Sequence, residues 1–396
     1  MRVLWIAREL PFPQDSGDRI YSASLVRALA ASGSHVRALG HPALDGSRPP
    51  EGDTVDWVPV TGGRRGTLAA LASSLPLFAA VHATPAYRSA LRAALDEHWD
   101  AVVLDQLGSG WALQPCRALR SRGGPQPVLV HVSHNDETAI WSSMVAQSGG
   151  SLPRRLAVRL NAARVARLEA RVLAGADLVS AITDEDAAAF GRRAPHSRRI
   201  VLTPGYGGAV TEPRTIDADT PRRVVLVGSY GWVVKQENLR RFLAVADPAF
   251  AEHGIGLDVV GRMPDALRHE LAPGLRATRL HGFVDDVGPL LRAARFAAVP
   301  ELIGGGFKLK LLDYVFGRVP VATITAAAAG LDDALRNRML CRTDLPALVA
   351  AIIAAIDDVA TLDARQREAF DLARQAFRWT DRGDALRRAI EACVPR

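Results

Sequence analysis

Gly304-Gly305-Gly306-Phe307-Lys308-Leu309-Lys310-Leu311-Leu312-Asp313 is the stretch on which the reading of this chain turns. Ahead of it lies Phe296-Ala297-Ala298-Val299-Pro300, an apolar run that reads as a buried strand. Behind it Leu309, Leu312 and Phe316 recur at helical spacing. Three glycines therefore stand where a strand hands over to a helix. Glycine there lets a ligand approach the backbone, and the first helical turn offers unpaired N–H groups and a positive dipole end to an anion. Lys310 and Asp313 are three apart, so they share one side of that helix. A cation for a phosphate and a carboxylate for a sugar hydroxyl are thereby placed together, the chemistry a nucleotide diphosphate demands.

Outward from this segment the chain alternates short β-branched runs with helical patterns. Val3 to Ala7 leads to a helix over Asp18 to Ala31, with Asp18 as N-cap and Gly33 as the stop. Strands are expected at Val36–Leu39, Val55–Val60, Ala101–Leu104, Val128–Val132, Leu178–Ile182 and Ile200–Leu202. A second series runs Val224–Gly228, Leu257–Gly261, Thr278–Phe283, Phe296–Val299 and Val319–Thr323. Strands alternating with helices imply parallel sheets covered on both faces. The proline- and glycine-marked stretch 204–222 separates the two series as a linker. The fold class is α/β: two tandem, doubly wound, Rossmann-like domains, with a cleft expected between them.

Bulk properties fit such a body. With 396 residues, 48% of them hydrophobic and 23% charged, the chain has material for two cores. Its net charge of +7 is carried mostly by scattered arginines; charge alone leaves a phosphorylated substrate, an anionic membrane surface and nucleic acid all open, and it is the reading of the chain as a whole that expects no nucleic-acid partner. Cys116, Cys341 and Cys393 lie far apart, which supports neither a disulfide framework nor a zinc site and points to a reducing, cytoplasmic setting. Met1 to Ile6 is too short an apolar run for a signal-peptide core, and the stretch from Leu68 to Val81, broken by Pro76, falls short of a membrane span. Asp184 with Asp186 reads as a helix start and Asp217 with Asp219 as linker, so no metal ligands follow. Arginines 154, 155, 159, 164, 167 and 171 lie on one long helical stretch. They make a solvated basic face, or else a peripheral contact with anionic lipid or a phosphorylated acceptor.

Ligands of doubly wound sheets bind beyond the carboxyl ends of the strands. In the first half those positions hold Gly17, Asp18 and Arg19, then Asp105 and Gln106, then His134-Asn135-Asp136-Glu137. In the second half they hold Gly228-Ser229-Tyr230 with Lys235, then Gly261-Arg262, then the glycine segment.

Four stretches, taken together, resemble the GT-B glycosyltransferases, most of all the family-4-like group. They are Pro11 to Leu29; Arg167 to Asp186; VVLVGSYGWVVKQENLRRFL from Val224; and HGFVDDVGPLLRAARFAAVPELIGGGFKLKLLDYVFGRVPVAT up to Thr323. The resemblance implies an N-terminal acceptor-side domain over 1–203, a nucleotide-sugar domain over 223–375, and a closing helix, 376–396, that crosses back to the first domain. It implies a retaining, metal-independent transfer from a nucleotide-diphosphate sugar, with uridine the expected base, to a small-molecule or glycan acceptor; no cofactor is required.

By the same resemblance Gly305, Gly306 and Phe307 wrap the distal phosphate and donor sugar, and Lys310 and Lys235 neutralise the diphosphate. Asp313 holds the ribose, Phe283 and Val284 meet the base, and Ser229 and Gly17 lie along the donor. His134 faces the reacting centre, where a phosphate oxygen takes the acceptor proton and the histidine is the second choice of base. One departure stands out: many members carry a glutamate eight residues before the ribose carboxylate, where this chain has Gly305. Glu301, four residues earlier, is the nearest acid. An isomerase or hydrolase of the same architecture, or a nucleotide-binding pseudoenzyme, remains as an alternative. A nicotinamide dehydrogenase is disfavoured, because Gly228-Ser229-Tyr230-Gly231 is only a partial dinucleotide fingerprint.

Overall fold

A computed structural model describes residues 1–119, 126–147, 151–303 and 306–394. Gly304 and Gly305, both central to the sequence reading, lie outside the described residues. The chain divides into two compact units, Met1–Gly205 with Arg378–Arg396, and Tyr206–Phe377.

The first unit is built on a seven-stranded parallel sheet. Its strands are β1 (Arg2–Glu9), β2 (His35–His41), β3 (Asp56–Pro59), β4 (Ala101–Asp105), β5 (Val128–Val132), β6 (Leu178–Ala181) and β7 (Arg198–Val201), in the order β3-β2-β1-β4-β5-β6-β7. β1, β4 and β5 are almost continuous runs of buried apolar residues, as strands covered on both faces must be. Each fully buried Leu, Ile or Val there stabilises the unit by roughly 1.5–3 kcal/mol. The helix Gly17–Ala31 starts one residue before the expected N-cap: Ser16 is the cap position, and Asp18 lies inside the first turn, where it pairs with Arg8 at 2.8 Å. Gly33 closes the helix with φ +92°. The helix Trp379–Glu391 packs on this one, and only a glycine fits at 383, where a Cβ would come 2.1 Å from the Ala28 carbonyl oxygen.

The second unit repeats the plan with six parallel strands: β8 (Arg223–Val227), β9 (Gly256–Val260), β10 (Thr278–Gly282), β11 (Phe296–Val299), β12 (Val321–Ile324) and β13 (Leu340–Arg342), in the order β10-β9-β8-β11-β12-β13. β13 is an edge strand of three residues that the apolar pattern did not announce. Residues 206–222, read above as a linker, run along this unit. Ile216 is buried in its core, the Ile216 amide donates to Asp363 at 2.9 Å, and Arg214 donates to the carbonyls of Leu291 and Ala294. Gly261 has φ +128°, and a Cβ on it would sit 1.6 Å from the Gly228 carbonyl oxygen. The ends of β8 and β9 can approach this closely only because that side chain is absent.

Among the described residues no single helix is long and apolar enough to cross a membrane.

Candidate functional site

In each sheet the strand order reverses between two neighbours, β1 and β4 in the first, β8 and β11 in the second. Such switch points open a crevice past the strand ends.

At the second switch point β11 runs through Pro300 into Glu301, and the following turn enters the helix Leu309–Phe316, whose N-cap residue, Lys308, supplies no side-chain cap. Gly306, the described member of the glycine triplet, has φ +71°, a conformation glycine adopts without strain. The Lys310 ammonium lies 2.5 Å from Glu301 Oε1, and the Lys308 ammonium 3.6 Å from Oε2. Lys235, in the first turn of the helix Val233–Glu252, is within electrostatic reach of both Lys310 and Glu301.

Of the 49 lysines and arginines in the chain only these three are lysine. Every lysine the protein has converges on one carboxylate. A structural ion pair needs one ammonium; three gathered around one carboxylate make a place suited to a bound anion. Burial pushes the Lys235 and Lys308 ammonium groups below their ordinary pKa, with Lys310 adding to the effect and Glu301 opposing it. Burial raises the Glu301 carboxyl, but Lys310 and Lys308 outweigh it and hold the group below the usual carboxylate range.

Lys310 bonds to Glu301 and stays within electrostatic reach of Asp313, one turn along the same helix. Asp313 opens toward solvent beside the Tyr206 hydroxyl. Crowding around its carboxyl raises it, against the pull of Tyr206 and Lys310. Asn238 is the residue that sequence reasoning missed. Buried in the helix after β8, its side-chain oxygen accepts from the Leu302 and Ile303 amides at 3.1 Å each, and its amide nitrogen donates to the Ile303 carbonyl at 2.9 Å. It thereby fixes the backbone just after Glu301. A lone asparagine on the apolar face formed by Leu239 and Phe242 was the available signal.

Phe307 is half-buried, its ring centre 6.0 Å from that of Phe377. Phe283, just past β10, is 59% exposed, and the Arg262 guanidinium lies over its ring at 4.6 Å. An exposed aromatic face backed by a cation is suited to stacking a planar base. Val284 packs against the core, and Ser229 is exposed after β8. The neighbouring Tyr230 hydroxyl is buried with no hydrogen-bond partner among the described residues.

At the first switch point a small crevice is lined by Ala7, Arg8, Asp18, Arg19, Asp105 and Gln106. Gly17 stands exposed at the start of the adjoining helix. Gln106 turns the chain after β4 with φ 59° and ψ 159°, a backbone conformation that costs about 1–3 kcal/mol for a residue with a side chain. His134 and Asp105 form a buried pair with Nε2 to Oδ1 at 3.0 Å, and the Tyr21 ring meets His134 edge-on at 4.8 Å. The Tyr21 hydroxyl in turn donates to the Leu202 carbonyl at 2.7 Å. Burial raises the Asp18 carboxyl, but Ser16, Arg8 and His134 hold it below the ordinary value. Glu169, the one acid among the helical arginines, does not balance them: it is buried, accepts from the Glu137 amide at 2.9 Å and pairs with Arg193 at 2.5 Å.

Among the described residues no group of three or more His, Cys, Asp or Glu side chains is arranged to hold a metal ion.

Two family models match the chain: "Glycosyl transferase 4-like domain" over residues 16–205 and "Glycosyl transferases group 1" over 221–358. No curated protein sequence matches. Solved structures of similar fold include HepE from Anabaena in complex with UDP and glucose (14% identity, TM-score 0.64, covering 99% of this chain and 100% of that one). WaaG, a glycosyltransferase involved in lipopolysaccharide biosynthesis, is 17% identical with TM-score 0.60, covering 94% and 95%. The trehalose-6-phosphate synthase OtsA is 13% identical with TM-score 0.65, covering 100% of each. The two α/β units have the GT-B architecture these proteins share.

Proposed function

Because the chain belongs to the group 1, 4-like glycosyltransferases and is a sugar-transferring enzyme, we propose that its donor is a nucleotide-diphosphate sugar whose pyrophosphate is held by Lys235, Lys308 and Lys310. The observation that carries this reading is the convergence of every lysine in the chain on Glu301 at the switch point of the second sheet. As the glycosidic bond breaks, charge grows on the departing phosphate, and pre-aimed ammonium groups are worth most at that moment. Asp313 holds the ribose hydroxyls and Phe283 the base; Gly305, Gly306 and Phe307 surround the distal phosphate, with Ser229 and Gly17 alongside. Uridine is the base we infer, in keeping with the UDP and glucose in the HepE structure.

The transfer retains anomeric configuration and needs no metal ion or other cofactor in this reading. A phosphate oxygen takes the acceptor proton, while His134, oriented by Asp105, faces the donor sugar and acceptor. The acceptor is a small molecule or glycan and the setting cytoplasmic, at a membrane surface. Supporting that last point, Leu152, Leu156 and Leu160 recur at helical spacing, 77%, 58% and 53% exposed, on the same helix as Arg154, Arg155 and Arg159. Co-sedimentation with anionic but not zwitterionic vesicles, abolished by Leu156→Asp, tests it.

The activity itself is tested by incubating the protein with a panel of nucleotide sugars in a chelator and measuring released diphosphate with and without acceptors. Acceptor-dependent release is the expected result. Release without acceptor would make the enzyme a hydrolase, and binding without turnover a pseudoenzyme.

A further inference from the structure

We propose that Glu301 sets the donor-to-product preference of the site: its charge limits how tightly the nucleoside diphosphate left by transfer is retained. The inference rests on the donor reading above. Three ammonium groups gather around the Glu301 carboxylate at the expected pyrophosphate position, and that carboxylate lowers the positive charge there by one. An intact nucleotide sugar presents two ionised phosphate oxygens. When the bond from the sugar carbon to the distal phosphate oxygen breaks, the electron pair stays on that oxygen. The freed diphosphate then carries a third charge above its second ionisation, at about pH 6.

The extra charge gives the product an electrostatic advantage over the donor in proportion to the net charge of the site. Glu301 lowers that net charge by one, so its removal enlarges the advantage. The carboxylate is also held firmly enough to matter. Asn238 pins the next two backbone amides, and both carboxylate oxygens face lysines, so Glu301 cannot swing away without breaking these bonds. A residue needed only to support the turn would affect donor and product alike. A charge-matching residue affects them unequally.

The test measures binding of UDP and of a 2-deoxy-2-fluoro UDP-sugar to the intact protein by calorimetry, for the wild type, Glu301→Gln and Glu301→Asp. At pH 8 the Gln variant is expected to gain affinity for both ligands, with the gain for UDP larger by about tenfold. The gap should shrink at pH 5.5, where the terminal phosphate takes up a proton, and the Asp variant should keep the wild-type ratio. If Glu301→Gln does not fold, Glu301→Ser takes its place. Equal changes for the two ligands, or weaker binding of both, would overturn the role of Glu301 and leave the donor reading intact. Wild-type protein that binds neither ligand would overturn both.

Discussion

At the residue scale, the donor reading rests on side chains gathered at one carboxylate. Lys310 is held at 2.5 Å by Glu301, and two further ammonium groups share that carboxylate, the place where the proposed pyrophosphate would sit. Lys310→Ala is expected to lower kcat/KM by about a hundredfold or more, the scale of losing one donor that stabilises developing charge. Thermal unfolding should barely change, and steady-state kinetics beside a melting curve checks both. His134→Ala is expected to cost only about tenfold to a hundredfold under the proposed mechanism, in which a phosphate oxygen takes the proton; a loss of about ten-thousandfold would instead make the histidine the base. Lys310 and Lys235 were legible from glycines preceding a helix and from a lysine following a strand. The bond from Lys310 to Glu301 was not, because a pairing between residues nine apart depends on how the fold returns the chain, and the pairing of Asp105 with His134 likewise emerges only once β4 and β5 lie side by side.

At the element scale, the turn after β11 works because another helix holds it. Asn238 makes three hydrogen bonds to Leu302 and Ile303. Asn238→Ala would take the partner from two part-buried amides and a carbonyl, at up to about 1–3 kcal/mol each where water cannot replace it. The expected outcome is a second unit destabilised by at least about 2 kcal/mol and a raised KM for donor with a smaller change in kcat, measured by denaturant unfolding and by kinetics. Most strands were legible because both faces of a parallel sheet are buried, which writes each strand as an apolar run. The exceptions have causes. β13 is three residues at an edge with Arg342 exposed, and β7 begins at Arg198, two residues before the apolar run, because an edge strand tolerates charge. The helix after β1 begins at Gly17 because Asp18 is engaged by Arg8 and does not cap.

At the scale of the whole molecule, one plan is used twice, and the two sheets share a strand order in which the crevice falls between the first and fourth strands of each. The repeated rhythm was visible in the sequence; the packing of residues 206–222 along the second unit was not, because prolines and glycines there resembled a free linker. The first unit also carries buried imidazoles that fix its response to acid. Burial pushes His131 down to about 4 and His82 to about 3. Both folded values lie below that of an unfolded histidine, so the unfolded chain binds protons the folded unit refuses. The stability this represents is present above pH 6.5 and is lost as pH falls from there through about 4, with roughly 3 kcal/mol at stake for His131 alone. Hydrogen exchange in peptides from β4 and β5 should accelerate over that window, and His131→Phe should flatten the dependence.

The central claim is that the lysines grip a pyrophosphate, and their rarity makes it directly measurable. Acylating the intact protein with an N-hydroxysuccinimide ester, with and without UDP, and reading the sites by mass spectrometry leaves Lys235, Lys308, Lys310 and the terminal amine as the reactive amines. UDP is predicted to protect the three lysines together and to leave the terminus unprotected. Equal labelling of the lysines in its presence and absence would contradict the account.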